Sequence, residues 1–179
     1  MAERNKSAPV PWQAPLAVED VPEEGRHVDL TADVDTRAEV ARVAGLRDLP
    51  RFEAKFDVTH HRQGGLHVCG QVSATVGQTC VVTLEPLANE IEEDVDLVFL
   101  PDAAKPKGDL GPAPEDGAAE TDPLIGGSVD LGAIATEFLI LGIDPYPRKP
   151  GAVFSPPQEA LPDEGPFAAL AALKKERGA

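Results

Sequence analysis

Three groups of side chains in this sequence could do chemistry, and each competes with an ordinary structural role. The first is Cys80, within Gln78-Thr79-Cys80-Val81-Val82-Thr83-Leu84-Glu85-Pro86. A reactive thiol needs a neighbouring cation or histidine to favour the thiolate. No histidine or cationic cluster lies within local reach, so a small buried residue is the expectation. The second group is His60, His61, His67 and Cys69, around one expected hairpin. Folding that hairpin brings His60 near Leu66 or His67 and puts His67 and Cys69 on one outward face. Tight zinc sites show paired Cys-x-x-Cys or His-x-x-x-His spacing, and this sequence has neither there. Solvated histidines are expected, with no metal and no other cofactor.

The third group is Glu90, Glu92, Asp94 and Asp96, on alternate positions of an expected strand. Same-face neighbours on a strand lie ~7 Å apart, so such a row repels itself unless it is solvated or faces cations. Carboxylate catalysis needs two carboxyl groups in contrasting environments, one of them dry. These four look alike and wet. They read as a solvated face and a docking surface for a basic partner, and no catalytic residue is assigned. The sequence has no Gly-rich phosphate loop, nucleophile elbow, kinase set or His-Glu-x-x-His motif, so the expectation is a protein that is not an enzyme.

The elements that position these groups follow from patterning. Leu16-Ala17-Val18 and His27-Val28-Asp29-Leu30-Thr31 are short strand candidates. Thr36 followed by Glu39 fits a capping box, Val40, Val43 and Ala44 share a helical face, and Gly45 suits a left-handed end. A short helix over 37–44 is predicted. From Arg51 the pattern alternates, with Phe52, Ala54, Phe56 and Val58 on one side. A turn at 60–65 uses Gly64 and Gly65, and Leu66, Val68, Gly70, Val72, Ala74 and Val76 continue the inward face. Gly77 permits a bend, Cys80 to Leu84 form a third strand, and the chain turns near Pro86. A fourth strand spans 89–99, with Ile91, Val95, Leu97 and Phe99 sharing a face with Glu93. Asp130 caps a helix bearing Leu131, Ile134, Ala135, Phe138 and Leu141, stopped by Gly142.

Bulk composition bounds the rest. A chain of 179 residues suits one domain with appendages. Its 42% hydrophobic content with only 4% aromatics implies a mostly aliphatic core. The 18 prolines and 16 glycines, unevenly placed, rule out regular structure throughout. Residues 1–14 read as a flexible segment with Trp12 as the only anchor, and 15–154 as a single domain with a mobile loop at 102–128. Residues 155–179 read as a Pro-rich tail with a short helix over 167–175. The net charge of −15 and pI near 4.5 repel phosphate backbones and attract basic proteins. The basic clusters are Lys105 with Lys107, Arg148 with Lys149, and Lys174, Lys175 and Arg177. The start of the chain lacks a signal-peptide core, and no apolar run approaches the ~20 residues of a membrane span. The expectation is a cytoplasmic protein with no membrane partner.

The run Gly70 to Pro86, followed by Ile91-Glu92-Glu93, resembles the YceD family, the large ribosomal RNA subunit accumulation proteins. Leu30-Thr31-Ala32 with residues 36–46 is similar to that family's N-terminal strand and helix. Val129-Asp130-Leu131, leading to Asp144-Pro145-Tyr146-Pro147-Arg148-Lys149-Pro150-Gly151, is similar to its C-terminal block. Many members carry a second cysteine two or three residues before the position of Cys80, and an arginine just before it. Here Gly77, Gln78 and Thr79 stand there, so no zinc or dithiol role is carried across. The positions matching most closely are Cys80, Leu84, Glu85, Pro86, Tyr146, Pro147, Arg148 and Lys149, taken as interface candidates beside the acidic row.

The expected fold is α+β: a curved antiparallel sheet of about five or six strands covered by one main helix, with a disordered loop and tails. What the resemblance implies is a non-enzymatic factor required for large-subunit ribosomal RNA to accumulate, through synthesis, processing or assembly. Charge adds binding of a basic ribosomal or ribosome-assembly protein, with contact to ribosomal RNA indirect or through the tail. Two alternatives stand beside it: a metal- or redox-responsive regulator using Cys80 and the hairpin histidines, and a general protein-interaction module.

Overall fold

The structure, a computed structural model, describes residues 11–62, 64–101 and 121–154. In chain order the elements are β1 (Pro15–Ala17), β2 (Arg26–Thr31), α1 (Val34–Ala44), β3 (Asp48–His61), β4 (Gly65–Thr79), β5 (Pro86–Pro101), β6 (Thr121–Leu124), β7 (Ser128–Asp130) and α2 (Leu131–Gly142). Single 3₁₀ turns at Val18–Asp20 and Ile125–Gly127 join neighbours. Five strands form one sheet in the order β2-β3-β4-β5-β6, and β1 pairs with β7 separately. All pairs are antiparallel except β5 with β6. The fold is α+β, as the patterning implied.

Alternation on the long strands makes the core. Phe52, Ala54, Phe56 and Val58 of β3 and Leu66, Val68, Val72, Ala74 and Val76 of β4 are fully or almost fully buried. Ile91 and Val95 of β5 join them. The register aligns these layers: Phe52 with Ala74 and Ile91, then Phe56 with Gly70 and Val95. Most outward residues of the same strands are polar, with buried Val98 of β5 an exception, which leaves the sheet one packed face and one mainly wet face.

Helix α2 is the main cover of the packed face, touching β1, β3, β4 and β5. Asp130 caps it, its Oδ1 accepting the N–H of Gly132 and Ala133 at 3.1 and 3.2 Å. The same oxygen accepts the Ala14 N–H at 2.8 Å. Leu131, Ile134, Ala135 and Leu139 are buried, with Phe138 packed partly against them. Leu141 is 71% exposed although it lies almost in line with Ile134, because it sits in the last turn of the helix. Twelve helical residues span ~18 Å, whereas a 15-residue strand spans ~50 Å. One helix is too short for the face. Val40 and Ala41 of α1, Leu16 of β1, Val129 of β7 and Trp12 complete the cover.

Several expectations are corrected. Asp33, not Thr36, caps α1: its carboxylate accepts the Thr36 N–H at 2.7 Å and the helix starts at Val34. A carboxylate suits the positive end of a helix, and that bond holds its pKa down. Glu39 bonds Arg42 at 2.8 Å instead of closing a capping box. Cys80 to Leu84 is a turn and not a strand. Strand β4 continues through Gly77, opposite an irregularity in β3 between Asp48 and Arg51; a Cβ there would strike the Asp48 carboxylate, so the glycine also serves close approach. Pro86 opens β5, at a position where a proline costs no ladder bond. Helix α2 does end at Gly142, though without a left-handed φ there, and a Cβ would come within 2.7 Å of Glu93 Oε1 and Ile91 Cγ2. Packing explains it, while Gly45 does take the left-handed end of α1 at φ 68°.

The segment 102–128 is ordered from Thr121, where β6 pairs with β5; residues 102–120 lie outside the described residues. Trp12 is anchored in the core, being 8% exposed and meeting Phe52 edge-on with ring centroids 4.6 Å apart. The expected helix at 167–175, and Lys105, Lys107, Lys174, Lys175 and Arg177, lie outside the described residues.

Phe56→Ala removes a ring at the centre of the packed face, and should lower unfolding free energy by about 3–5 kcal/mol. Asp130→Ala removes the α2 cap and should cost about 1–2 kcal/mol. Urea unfolding followed by the fluorescence of Trp12, the only tryptophan, measures both.

Candidate functional site

Two segments more than sixty residues apart meet at the end of β4. The hairpin β4–β5 closes with Thr79 opposite Pro86 and residues 80–85 between them. Its backbone is tied across: Cys80 N–H donates to Glu85 O and Leu84 N–H to Cys80 O, both at 2.9 Å. Leu84 takes φ 59°, the only positive φ outside glycine among the described residues. That conformation costs a residue with a Cβ, and the side chain it places is 77% exposed.

The stretch after α2 is strapped over this turn. Asp144 Oδ1 accepts the Tyr146 N–H at 2.8 Å, shaping a local turn. Val81 N–H donates to Pro147 O at 2.9 Å, and Lys149 Nζ meets Glu85 Oε2 at 2.8 Å. Beneath them lies Gln78, 8% exposed, donating to Asp144 O at 2.8 Å and accepting from Asn89 Nδ2 at 2.8 Å. The sequence reading passed over Gln78 and Asn89. Their signal was a polar residue at the end of an otherwise apolar inward row.

Cys80 is the hub. Its sulfur is fully buried and accepts N–H bonds from Lys149 at 3.3 Å and Thr83 at 3.4 Å. The Lys149 N–H, then the Thr83 hydroxyl and N–H, pull its pKa from an ordinary 9.0 to about 6, against the opposing effect of burial. The sulfur's charge in turn helps hold the Lys149 ammonium, whose pKa Glu85 raises first. Cys80 and Pro147 are buried, so they frame the site; Leu84, Glu85, Pro86, Tyr146, Arg148 and Lys149 form its surface.

The acidic row is in place on the outer face. Glu90, Glu92, Asp94 and Asp96 are all exposed, flanked by Asp57, Lys55, Glu53 and Arg51 two strands away. Yet the four are not alike. Glu90 accepts from Arg51 Nη2 and Thr75 Oγ1, both at 2.8 Å, and Arg51 foremost depresses its pKa. Asp96 meets His67 Nε2 at 2.6 Å. Asp94 has only a 3.5 Å contact with Gln71, and Glu92 has no hydrogen bond among the described residues. The middle of the row carries the unspent charge.

The histidines separate. His60 Nε2 bonds Val21 O at 2.7 Å, His67 bonds Asp96, and His27 Nδ1 meets Asp57 at 2.8 Å, which raises its pKa. Cys69 shares the outward face with His67, as expected, but its sulfur reaches the Asp57 carbonyl at 3.5 Å. Cys80 belongs to another end of the sheet, so the structure does not bring it together with the hairpin histidines. Among the described residues no helix is long and apolar enough to cross a membrane.

A family model described as large ribosomal RNA subunit accumulation protein YceD matches residues 68–174, more than half of the chain. No curated protein and no solved structure matches.

A thiol with a depressed pKa stabilises the fold most when ionised. That contribution is complete above the ordinary thiol value near 9 and fades as pH falls through about 6. Cys80→Ser keeps an N–H acceptor but does not ionise, so its stability deficit should widen between pH 6 and 9 and level off below 6. Urea midpoints across that range check the sign; a constant deficit would contradict a buried thiolate. Leu84→Gly relieves the left-handed strain, and should leave stability unchanged or raise it by about 1 kcal/mol in the same assay.

Proposed function

Since this chain belongs to the YceD family of large ribosomal RNA subunit accumulation proteins, we propose that it supports that accumulation as a cytoplasmic binding factor, without catalysing a reaction. Its partner in this reading is a basic ribosomal or ribosome-assembly protein, and ribosomal RNA is reached through that partner. The observation that carries it is the outer face of β5, where Glu92 and Asp94 stand exposed and unspent at the centre of an acidic row. An open wall of carboxylates in water suits recognition of lysine and arginine side chains. Phosphate backbones are repelled by the same charge.

The surface near Cys80 supports a second contact on the same partner. Leu84 and Tyr146, 77% and 71% exposed, are large apolar groups held by a rigid turn and strap. Rigid anchors lose little freedom on binding, and tyrosine is enriched where interfaces draw their energy.

Charge reversal tests the reading. Glu92→Lys with Asp94→Lys should cut capture of ribosomal proteins at low salt by about tenfold, and capture by the native chain should fall as salt rises. Glu90→Gln should do far less, because Arg51 already neutralises that carboxylate. Retention of naked ribosomal RNA in preference to ribosomal proteins would overturn the proposal. Deletion of the protein should lower the ratio of large to small ribosomal subunits in a sucrose gradient.

A further inference from the structure

A second surface of opposite character lies between α1 and the start of β3. It is a groove of about 440 Å³, floored by Leu46 and Leu49, with Val34 at its mouth and Arg37, Arg42 and Arg47 on its rim. None of the outer-face carboxylates lines it. Val34 is 70% exposed at its mouth, although it opens a helix and could have been polar at no cost to the core.

The rim charges are unevenly spent. Arg42 is paired with Glu39 at 2.8 Å. Arg37 donates to the Pro50 carbonyl at 2.8 Å, a neutral acceptor that leaves its charge available. The Arg47 guanidinium has no hydrogen bond or ion pair among the described residues. Asp48, the only carboxylate lining the groove, is turned against the backbone of Gly77. Arg47, whose guanidinium has no partner among the described residues, and Arg37, which bonds a neutral carbonyl and feels the Asp33 carboxylate only through space, therefore border an aliphatic floor on a chain whose net charge is −15.

We infer that this groove binds a short acidic segment of a partner protein. An aliphatic side chain rests on Val34 and Leu49, and a carboxylate is held by Arg37 and Arg47. The guanidinium fork matches a carboxylate in two-pronged fashion, and the volume lies in the ~300–1,000 Å³ range of ligand sites. Nucleic acid fits less well, because a phosphate gains nothing from an aliphatic floor and the lining has no aromatic ring on which a base could stack. The acidic outer face does not forbid the contact, since charges separated by more than ~8 Å are screened at physiological ionic strength.

Fluorescence anisotropy with a labelled eight-residue peptide of alternating leucine and glutamate, titrated with the full chain, tests this. Saturable binding is expected, weakened about tenfold or more by Arg37→Gln with Arg47→Gln. It should also be weakened by Val34→Asp, and lost when the peptide's glutamates become glutamines. Trp12 fluorescence confirms that each variant folds. Unchanged affinity in the double arginine variant, equal binding of the glutamine peptide, or no binding at all overturns the inference. So does displacement of the peptide by a uridine octamer that binds more tightly, which would assign the groove to nucleic acid. Concentration-dependent dimerisation abolished by Val34→Asp would assign it to a second copy and overturn it equally.

Discussion

The register of β4 between β3 and β5 is the constraint on which everything else depends. Its inward side chains Leu66, Val68, Val72, Ala74 and Val76 have no exposed surface, and it is paired along nearly its whole length on both sides. A slip of one residue against either neighbour would exchange the two faces of the sheet. It would place valines in water and bury Gln71, Ser73 and Thr75 without partners. The same register aligns Glu92 with Ser73 and Glu53, and Asp94 with Gln71 and Lys55. It also brings Thr79 opposite Pro86, which sets the length of the turn that holds Cys80. Apolar burial thus positions both candidate surfaces without any residue of the core touching them.

Polar bonds then do local work that burial cannot. The turn at 80–85 has no apolar side chain facing the main core, and Cys80 stands apart from the core cluster. Backbone N–H groups of Thr83 and Lys149 converge on one sulfur, while Val81 and Gln78 hold the strap by its carbonyls. Buried polar groups without partners are costly, so these bonds specify one path for residues 144–149. The strain at Leu84 is tolerated because bonds on either side of it over-determine the turn. The consequence is a rigid mount for Leu84 and Tyr146, side chains that a free loop would fold away from water.

How much of this was readable from residues alone varies with the physics. The long strands, their faces and the Asp130 helix were plain, because period-2 alternation and a capping carboxylate are local signals. The acidic row was readable for the same reason. The spending of Glu90 and Asp96 was not, since Arg51 and His67 reach them through register and not through sequence proximity. Cys80 to Leu84 was misread as a strand because Val81, Val82 and Thr83 have strand preferences, which the tied turn overrides. The strap depends on contacts spanning about sixty residues, and no local pattern announces them. Gly77 and Gly142 looked like a bend and a stop, and each is also small because another chain segment crosses it closely.

Net charge alone is a poor guide to what this surface recognises. A chain at −15 would seem to offer one kind of partner. Screening divides its exterior into regions that act separately, and within each region pairing decides which charges are available. On the outer face the availability rests with Glu92 and Asp94, because their neighbours at both ends are occupied. Between α1 and β3 it rests foremost with Arg47, whose guanidinium has no partner among the described residues, and next with Arg37, which bonds a neutral carbonyl and only feels Asp33 through space. In the proposed reading, a protein that is acidic in sum holds a basic partner on its sheet and a carboxylate beside its first helix. The two contacts would not compete, since no side chain belongs to both.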